Sequence, residues 1–386
     1  MKHTLTISAM ILFLMAGCGG NKQATDDFIT VDVTAKYPEK KLILQDFMDV
    51  EYIPLETTDT FLCQGLVLAI GKNMLAARNY VNDGDIFLFD RKTGKGLRKI
   101  NRKGQGGEEY TFVQRIVLDE NSEEMFVHDH YTKKILVYDL EGNFKRSLKQ
   151  NDVIYFAHMY DFDHEKLIGN NSWVTDRPPF KIISKQDGSL TNEIRIPFEE
   201  KISIVLEKRD EENNMTYGIS PGNYNPIIPY FNDWILVEQS ADTVYKYQSD
   251  HTMIPFMART PSVQSMDPEV FLFLSILTDR YYFMETVKKE YDWASNTGFP
   301  TTNLVYDKQE KALFRYTVYN DDYSGKISVN MKTIPVNDEI ASWQSLEAPL
   351  LAASYKNGKL KGRLKEIAAG LDEESNPVIM LIKHKK

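Results

Sequence analysis

K-I-N-R-K-G-Q-G-G-E-E-Y, residues 99–110, joins the end of one β-rich unit to the start of the next. That next unit closes on I-L-V-Y-D-L-E-G-N-F-K, residues 135–145: a strand, a tight turn and the beginning of another strand. Upstream, residues 66–70, 74–77, 86–90 and 97–100 read as four short strands. The turns between them are Gly71-Lys72-Asn73, Asn82-Asp83-Gly84 and Thr93-Gly94-Lys95, which makes an antiparallel meander. Downstream, residues 115–118, 125–127, 135–138 and 144–147 repeat the plan, and residues 155–160, 166–168, 180–183 and 193–196 repeat it again. Asp90, Asp139 and Asp187, in the turns after the third strands, follow one another at 49 and 48 residues. A β-rich repeat of this length predicts propeller blades.

The later units are looser. Residues 199–229 are polar and read as an excursion from the scaffold. Residues 234–237 and 243–247 restore the blade pattern, and 280–287, 303–306 and 313–319 suit another blade. Asp267-Pro268 is expected to open a short helix through Leu277, with proline in its first turn. Leu360, Leu364, Ile367, Ala368 and Leu371 lie on one helical face, so one helix is expected there. Residues 377–382 form a final apolar strand, and a strand at 51–55 is placed beside it to close the ring and cover two edges. The expected fold is all-β: a six-bladed β-propeller of four-stranded antiparallel blades over residues 31–386, with short helices towards the C-terminal part.

Composition fits that class. Aromatic residues make up 12% of the 386-residue chain, which suits half-buried pleated surfaces. The net charge is −9 and no Lys/Arg block stands out, so nucleic acid is excluded as a partner. Cys63, in F-L-C-Q-G, reads as a small buried hydrophobe and not as a nucleophile.

The first residues read as an address. Met1-Lys2-His3 is a basic start, and residues 5–15 are mostly apolar, too short to span a bilayer but of signal-peptide length. The run ends Leu14-Met15-Ala16-Gly17-Cys18, which resembles a bacterial lipobox whose cysteine thiol takes the diacylglycerol. Residues 1–17 are then a lipoprotein signal peptide and 18–30 a lipidated tether, so the protein is anchored to a membrane without crossing it.

Four stretches carry a wider resemblance: Y-I-P-L-E-T-T-D (52–59), K-G-Q-G-G-E-E-Y (103–110), residues 135–144, and N-P-V-I-M-L (376–381). Together they resemble the six-bladed β-propeller lipoproteins of Bacteroides-type bacteria, an NHL-like family. In that family the glycine motif usually ends Gly-Pro-Gly-Glu-Tyr, whereas here it ends Gly106-Gly107-Glu108-Glu109-Tyr110. The resemblance implies the fold and a place in the cell envelope, expected at the outer membrane on either its periplasmic or its surface-facing side. It implies no catalytic residue and no cofactor.

Several clusters are candidate sites. Gly104-Gln105-Gly106-Gly107 superficially resembles a phosphate cradle, but Glu108-Glu109 would repel phosphate and a strand follows. The loop is therefore read as a blade-to-blade crossing that needs positive φ, with Tyr110 as its packing anchor. His128-Asp129-His130 places two imidazoles on one strand face, with His158, Asp161, Asp163 and His164 in the neighbouring unit, yet no third ligand stands at a diagnostic spacing. His128 and His130 are kept as ligand-binding candidates and no metal is assigned. Trp173 and Arg177, in a loop, are candidate contacts for a sugar or peptide, while Trp234 reads as core and Trp293 as a further aromatic candidate. The expected role is a lipid-anchored binding scaffold for a glycan, a peptide or an envelope protein. The rival is a propeller enzyme of metal-dependent lactonase or polysaccharide lyase type, favoured if acidic and His side chains converge on the channel. A structural subunit of an outer-membrane complex is the third reading.

Overall fold

A strand whose two faces are both covered cannot alternate apolar and polar residues, and I-F-L-F (86–89) does not. Phe87 and Phe89 belong to one apolar layer, Ile86 and Leu88 to the next. Phe126 and its neighbours Met125 and Val127 divide in the same way, as do Ile182 and Ile183. The computed structural model, which describes residues 28–148, 156–171, 179–222 and 224–385, shows why. Six sheets stand around an axis, and the buried hydrophobic residues form six clusters, one between each pair of adjacent sheets.

Blade 1 contains Leu66–Ile70, Met74–Arg78, Asp85–Asp90 and Gly96–Asn101, from axis to rim. Blade 2 contains Val113–Asp119, Glu124–Asp129, Ile135–Asp139 and Phe144–Leu148. Blade 3 contains His158–Asp161, Lys166–Asn170, Phe180–Ser184 and Leu190–Ile194. Blade 4 contains Ile227–Tyr230, Asp233–Leu236, Thr243–Tyr247 and Met253–Thr260. Blade 5 contains Val270–Leu277, Tyr281–Lys288, Thr301–Asp307 and Ala312–Tyr319. Blade 6 has three regular strands, Ile340–Leu346, Val378–His384 and Met48–Pro54.

The turn between third and outer strands carries the repeat. Its closing residue is left-handed in five blades: Gly94, Gly142, Gly188, His251 and Lys311, with φ of +72°, +89°, +79°, +69° and +51°. Asp90 and Asp139 open this turn, accepting from Gly94 N and Gly142 N at 2.8 and 3.0 Å. The residue that does so in blade 3 is Ser184, which accepts from Gly188 N at 2.9 Å, and not Asp187. Asp187 caps Ser189 N inside the same turn, so the even aspartate spacing was partly coincidental.

Closure is as expected. Met48–Pro54 pairs antiparallel with Val378–His384, Pro54 opposite Val378. What precedes it was not foreseen. Ile29–Asp32 pairs in parallel with the outer strand of blade 4, and Glu39–Ile43 with that of blade 5. Among the described residues the first strand thus begins at Ile29, and the chain runs along the outside of blades 4 and 5 before completing blade 6.

Three other expectations need correcting. Val270–Leu277 is a strand and not a helix. It is buried on both faces, and such a run has no periodicity to separate the two. The C-terminal region holds two helices, Ala348–Lys356 and Gly362–Ala368, where one was expected. The crossing loop does join blades 1 and 2, but none of Gly104, Gly106 and Gly107 lies in the left-handed region. A Cβ on Gly104 would instead overlap the Glu109 carboxylate, which folds back and accepts from Gly106 N at 2.8 Å. The excursion at 199–229 contains a hairpin, Leu206–Asp210 with Met215–Ile219.

The axial position of blade 6 is taken by an irregular segment, residues 330–337. It is tied to the strand Ile340–Leu346 by Gln344 Nε2 donating to Asn330 O (2.8 Å), by the Thr333 and Ser342 hydroxyls, and by Asn337 N donating to Ile340 O (3.0 Å). The segment also reaches blade 4: Asn225 Nδ2 donates to Thr333 O at 3.1 Å, and Asn232 N to Asp338 Oδ2 at 2.8 Å. It therefore lies in front of blade 5, whose axial strand is buried almost throughout.

Candidate functional site

Each repeat sends its first strand to the axis, so the first strands decide what lines the channel. The space left there is a cavity of about 770 Å³. Its wall is built by blades 1, 2, 3, 4 and 6, and blade 5 contributes nothing because residues 330–338 screen it. The turns after the first strands, at Gly71-Lys72-Asn73, Glu120-Asn121, Asn232 and Asn337-Asp338-Glu339, form its mouth.

The mouth is rich in carboxylates, most of them engaged. Glu120 accepts from Asn73 N and Met74 N at 2.9 Å each, joining blade 2 to blade 1. Glu339 meets Arg91 at 2.8 Å, joining blade 6 to blade 1. Asp119 meets Lys185 of blade 3 at 2.6 Å, and the same ammonium lies 2.7 Å from Asp161. Burial tends to raise the Asp119 carboxyl, but the Lys185 contact and Ser122 N hold it below the usual range. Asp161 is raised, because burial outweighs its share of Lys185. Burial likewise raises Asp233, against Lys246.

The wall below is mixed. Trp343 is half-buried, and Trp234 is buried against Phe162, with parallel rings 5.8 Å apart. Deeper are Arg115, His158 and Tyr160. Arg115 Nε donates to Ala157 O at 3.0 Å, linking blade 2 to blade 3. Burial holds the His158 imidazole neutral, with a pKa of about 3, and the Arg115 charge adds to that.

The residues singled out from sequence fall elsewhere. His128 is fully buried, pushed down to about 4 chiefly by burial, whereas His130 lies past the strand end against Phe112 and Tyr131 at 5.6 and 4.9 Å. They do not share a face: the strand ends at Asp129, whose carboxylate ties Thr111, Phe112 N and Tyr131 N. His164 is 86% exposed beside Glu165. Among the described residues no group of three His, Cys, Asp or Glu side chains is arranged to hold a metal ion. Trp293 sits by the Leu206–Asp210 hairpin, with Lys208 Nζ 5.6 Å from its ring centre. Gln105 is exposed, and Tyr110 is fully buried, donating to Gly84 O at 2.6 Å. Cys18, Trp173 and Arg177 lie outside the described residues. The residues that do line the cavity, Arg115, His158, Tyr160 and Trp343, went unnoticed as a set. The available signal was polar and aromatic side chains in the first strands of otherwise apolar repeats.

No helix among the described residues is long and apolar enough to cross a membrane. No curated protein matches the chain. A family model described as a domain of unknown function, DUF4934, matches residues 28–383. Among solved structures, a candidate exported protein from Bacteroides fragilis NCTC 9343 is similar at 14% identity and a TM-score of 0.57, over 94% of this chain and 100% of that one. That likeness is one of fold. A DUF4221 family member from Bacteroides vulgatus is similar at 9% identity and TM-score 0.46, over 88% and 98% of the two chains. Virginiamycin B lyase from Staphylococcus aureus is similar at 9% and 0.38, over 88% and 100%.

Proposed function

We propose that this chain, which belongs to the DUF4934 family, is a lipid-anchored envelope propeller that binds a saccharide in its axial cavity. The observation that carries the reading is the cavity of about 770 Å³, whose mixed apolar and polar wall holds the half-buried Trp343. Pockets of that size take small ligands, and an indole offers a flat apolar face to the C–H face of a pyranose while nearby polar groups bond its hydroxyls. Calorimetry against a panel of neutral and acidic mono- and disaccharides tests it. Binding that falls at least tenfold in Trp343→Ala is the expected result; no saccharide binding, or binding unaffected by the substitution, overturns it.

The envelope address rests on residues 1–18, and the Bacteroides fragilis protein of similar fold is in keeping with it. Replacing Cys18 with Ser should release the protein from membranes, since stable anchoring takes more than one acyl chain. Membrane retention unchanged in that variant would overturn the anchor.

A propeller enzyme is the second reading, favoured by His158 and Asp161 on one axial strand. Against it, His158 has no carboxylate to orient it, unlike a general base in a triad. Turnover of a bound saccharide, lost in His158→Ala, would establish it.

A further inference from the structure

Two hairpins that the propeller plan does not need stand together on the face opposite the cavity mouth. First strands run towards the mouth and successive strands alternate in direction. The outer strand of blade 3 and the second strand of blade 5 therefore both end at the far face. After each of them the chain forms a two-stranded sheet before its next regular strand: Leu206–Asp210 with Met215–Ile219, and Tyr291–Asp292 with Thr297–Gly298. A hairpin on its own is marginal in water, so each needs an anchor. Leu206 and Ile219 anchor the first, packing against the core between blades 4 and 5. Tyr291 anchors the second, packing on Phe299 at 5.8 Å while its hydroxyl bonds Asn296.

Between the hairpins lies a groove of about 580 Å³, lined by residues 208–211 and 217–219 of the first and by Trp293 of the second. Register decides which face of the first hairpin meets it. Tyr217 stands opposite Lys208 and Met215 opposite Asp210, so these four side chains share a face with the anchored Leu206 and Ile219. Lys208 Nζ lies 5.6 Å from the Trp293 ring centre, which turns that face towards the indole. Tyr217 and Met215 are 45% and 48% exposed on it. Trp293 is half-buried, and its edge-to-face contact with Tyr291, ring centres 4.9 Å apart, holds the indole in one orientation. A fixed indole across a groove from an exposed tyrosine adds little to the core and offers two flat apolar faces to a ligand.

The charges select the class of that ligand. Lys208, Arg209, Asp210 and Glu211 line the groove in succession, two of each sign. A ligand with net charge of either sign gains at one pair what it loses at the other. The same side chains supply both donors and acceptors, which is what neutral hydroxyls need. The groove is open along the hairpin, where residues 207–209 and 211–218 are exposed, and this suits a chain better than a compact molecule. We propose that the groove is a second carbohydrate site, which binds a neutral oligosaccharide with Trp293 and Tyr217 as stacking faces and Lys208 and Asp210 as partners of its hydroxyls. It lies on the opposite face from the axial cavity and does not depend on that cavity holding a saccharide.

The test is isothermal calorimetry with maltohexaose, cellohexaose and xylohexaose on the native chain and on Trp293→Ala, Trp293→Phe, Tyr217→Ala and Trp343→Ala, each checked for an unchanged thermal transition. At least one hexasaccharide should bind. Trp293→Ala and Tyr217→Ala should each weaken it by about tenfold and Trp293→Phe by no more than about threefold, as loss and retention of a stacking face require. The binding should persist in Trp343→Ala, which removes the indole of the cavity. Binding that only Trp343→Ala weakens overturns the groove site and leaves the cavity reading standing. Absence of hexasaccharide binding, or binding that neither Trp293→Ala nor Tyr217→Ala weakens, also overturns it. A dimer in sedimentation that Trp293→Ala dissolves overturns it in favour of a second copy of this chain.

Discussion

Asp338 of blade 6 accepts a 2.8 Å hydrogen bond from the backbone of Asn232 in blade 4, although blade 5 stands between them in the ring. The contact is made inside the channel, by residues 330–338 lying across it. Asn225, 4% exposed, anchors the same segment through Thr333 O at 3.1 Å. Asn225→Ala should loosen the segment by roughly 1 kcal/mol, the worth of one buried hydrogen bond. Hydrogen exchange should quicken at residues 330–338 and stay unchanged in blades 1 to 3; uniform quickening would mean global destabilisation instead.

Gly94 is where the ring closes. It has φ +72°, and a Cβ there would overlap the Pro54 carbonyl, at the end of the outer strand of blade 6. Gly94→Ala should cost about 2 kcal/mol or more, from backbone strain together with that overlap. Gly107→Ala, with nothing within 4 Å and an ordinary φ, should change stability by less than about 0.5 kcal/mol. Urea unfolding of the pair decides; equal effects would contradict the closure argument.

Asp307 ties the outer strap, Glu39–Ile43, to blade 5. Its side chain is fully buried, 2.7 Å from Lys40 of the strap and 3.1 Å from Arg280. Burial would raise its pKa, but Arg280 and Lys40 together bring it down to about 2. A carboxyl depressed in the folded state stabilises above its unfolded pKa and loses that stabilisation as pH falls through the folded one. Asp307 should therefore contribute roughly 2 kcal/mol at neutral pH that disappears between about pH 4 and pH 2. Acid unfolding curves of the native chain and Asp307→Asn should differ at pH 6 and converge near pH 2. Curves that stay parallel would rule out the linkage.

Cys63 is 4% exposed, and burial pushes its thiol up to about 11. The thiolate is the reactive form, so the folded protein should resist iodoacetamide at pH 8 and react fully in denaturant. In a Cys18→Ser background, rapid labelling of native protein would show an open path to this site.

His128→Gln replaces a fully buried imidazole that is neutral at physiological pH, with a pKa near 4. Stability should fall by about 1–3 kcal/mol, whereas His130→Gln should stay within about 1 kcal/mol. Elemental analysis of protein purified without chelator should give the same metal content for both variants and the native chain. Stoichiometric zinc lost in either variant would reverse this.

The sequence by itself determined the blades. Runs such as I-F-L-F and I-L-V-Y, short, apolar and bounded by Gly, Asn and Asp, admit little except strands covered on both sides. Their repetition, with the apolar strand 377–382 left to pair with 51–55, determined a closed ring, because each strand carries its own pattern and its own turn chemistry. The strand Val270–Leu277 shows the limit: equal burial of both faces erases the periodicity that would tell strand from helix. Only the tertiary structure decided the site. The cavity is made by single residues from separate blades, Arg115, His158 and Trp343, which are far apart in sequence and meet because first strands share an axis. Its one-sided shape comes from residues 330–338, which have no strand pattern and are held by hydrogen bonds to blades 4 and 6. Such contacts depend on where two distant segments come to rest, and local sequence does not encode that.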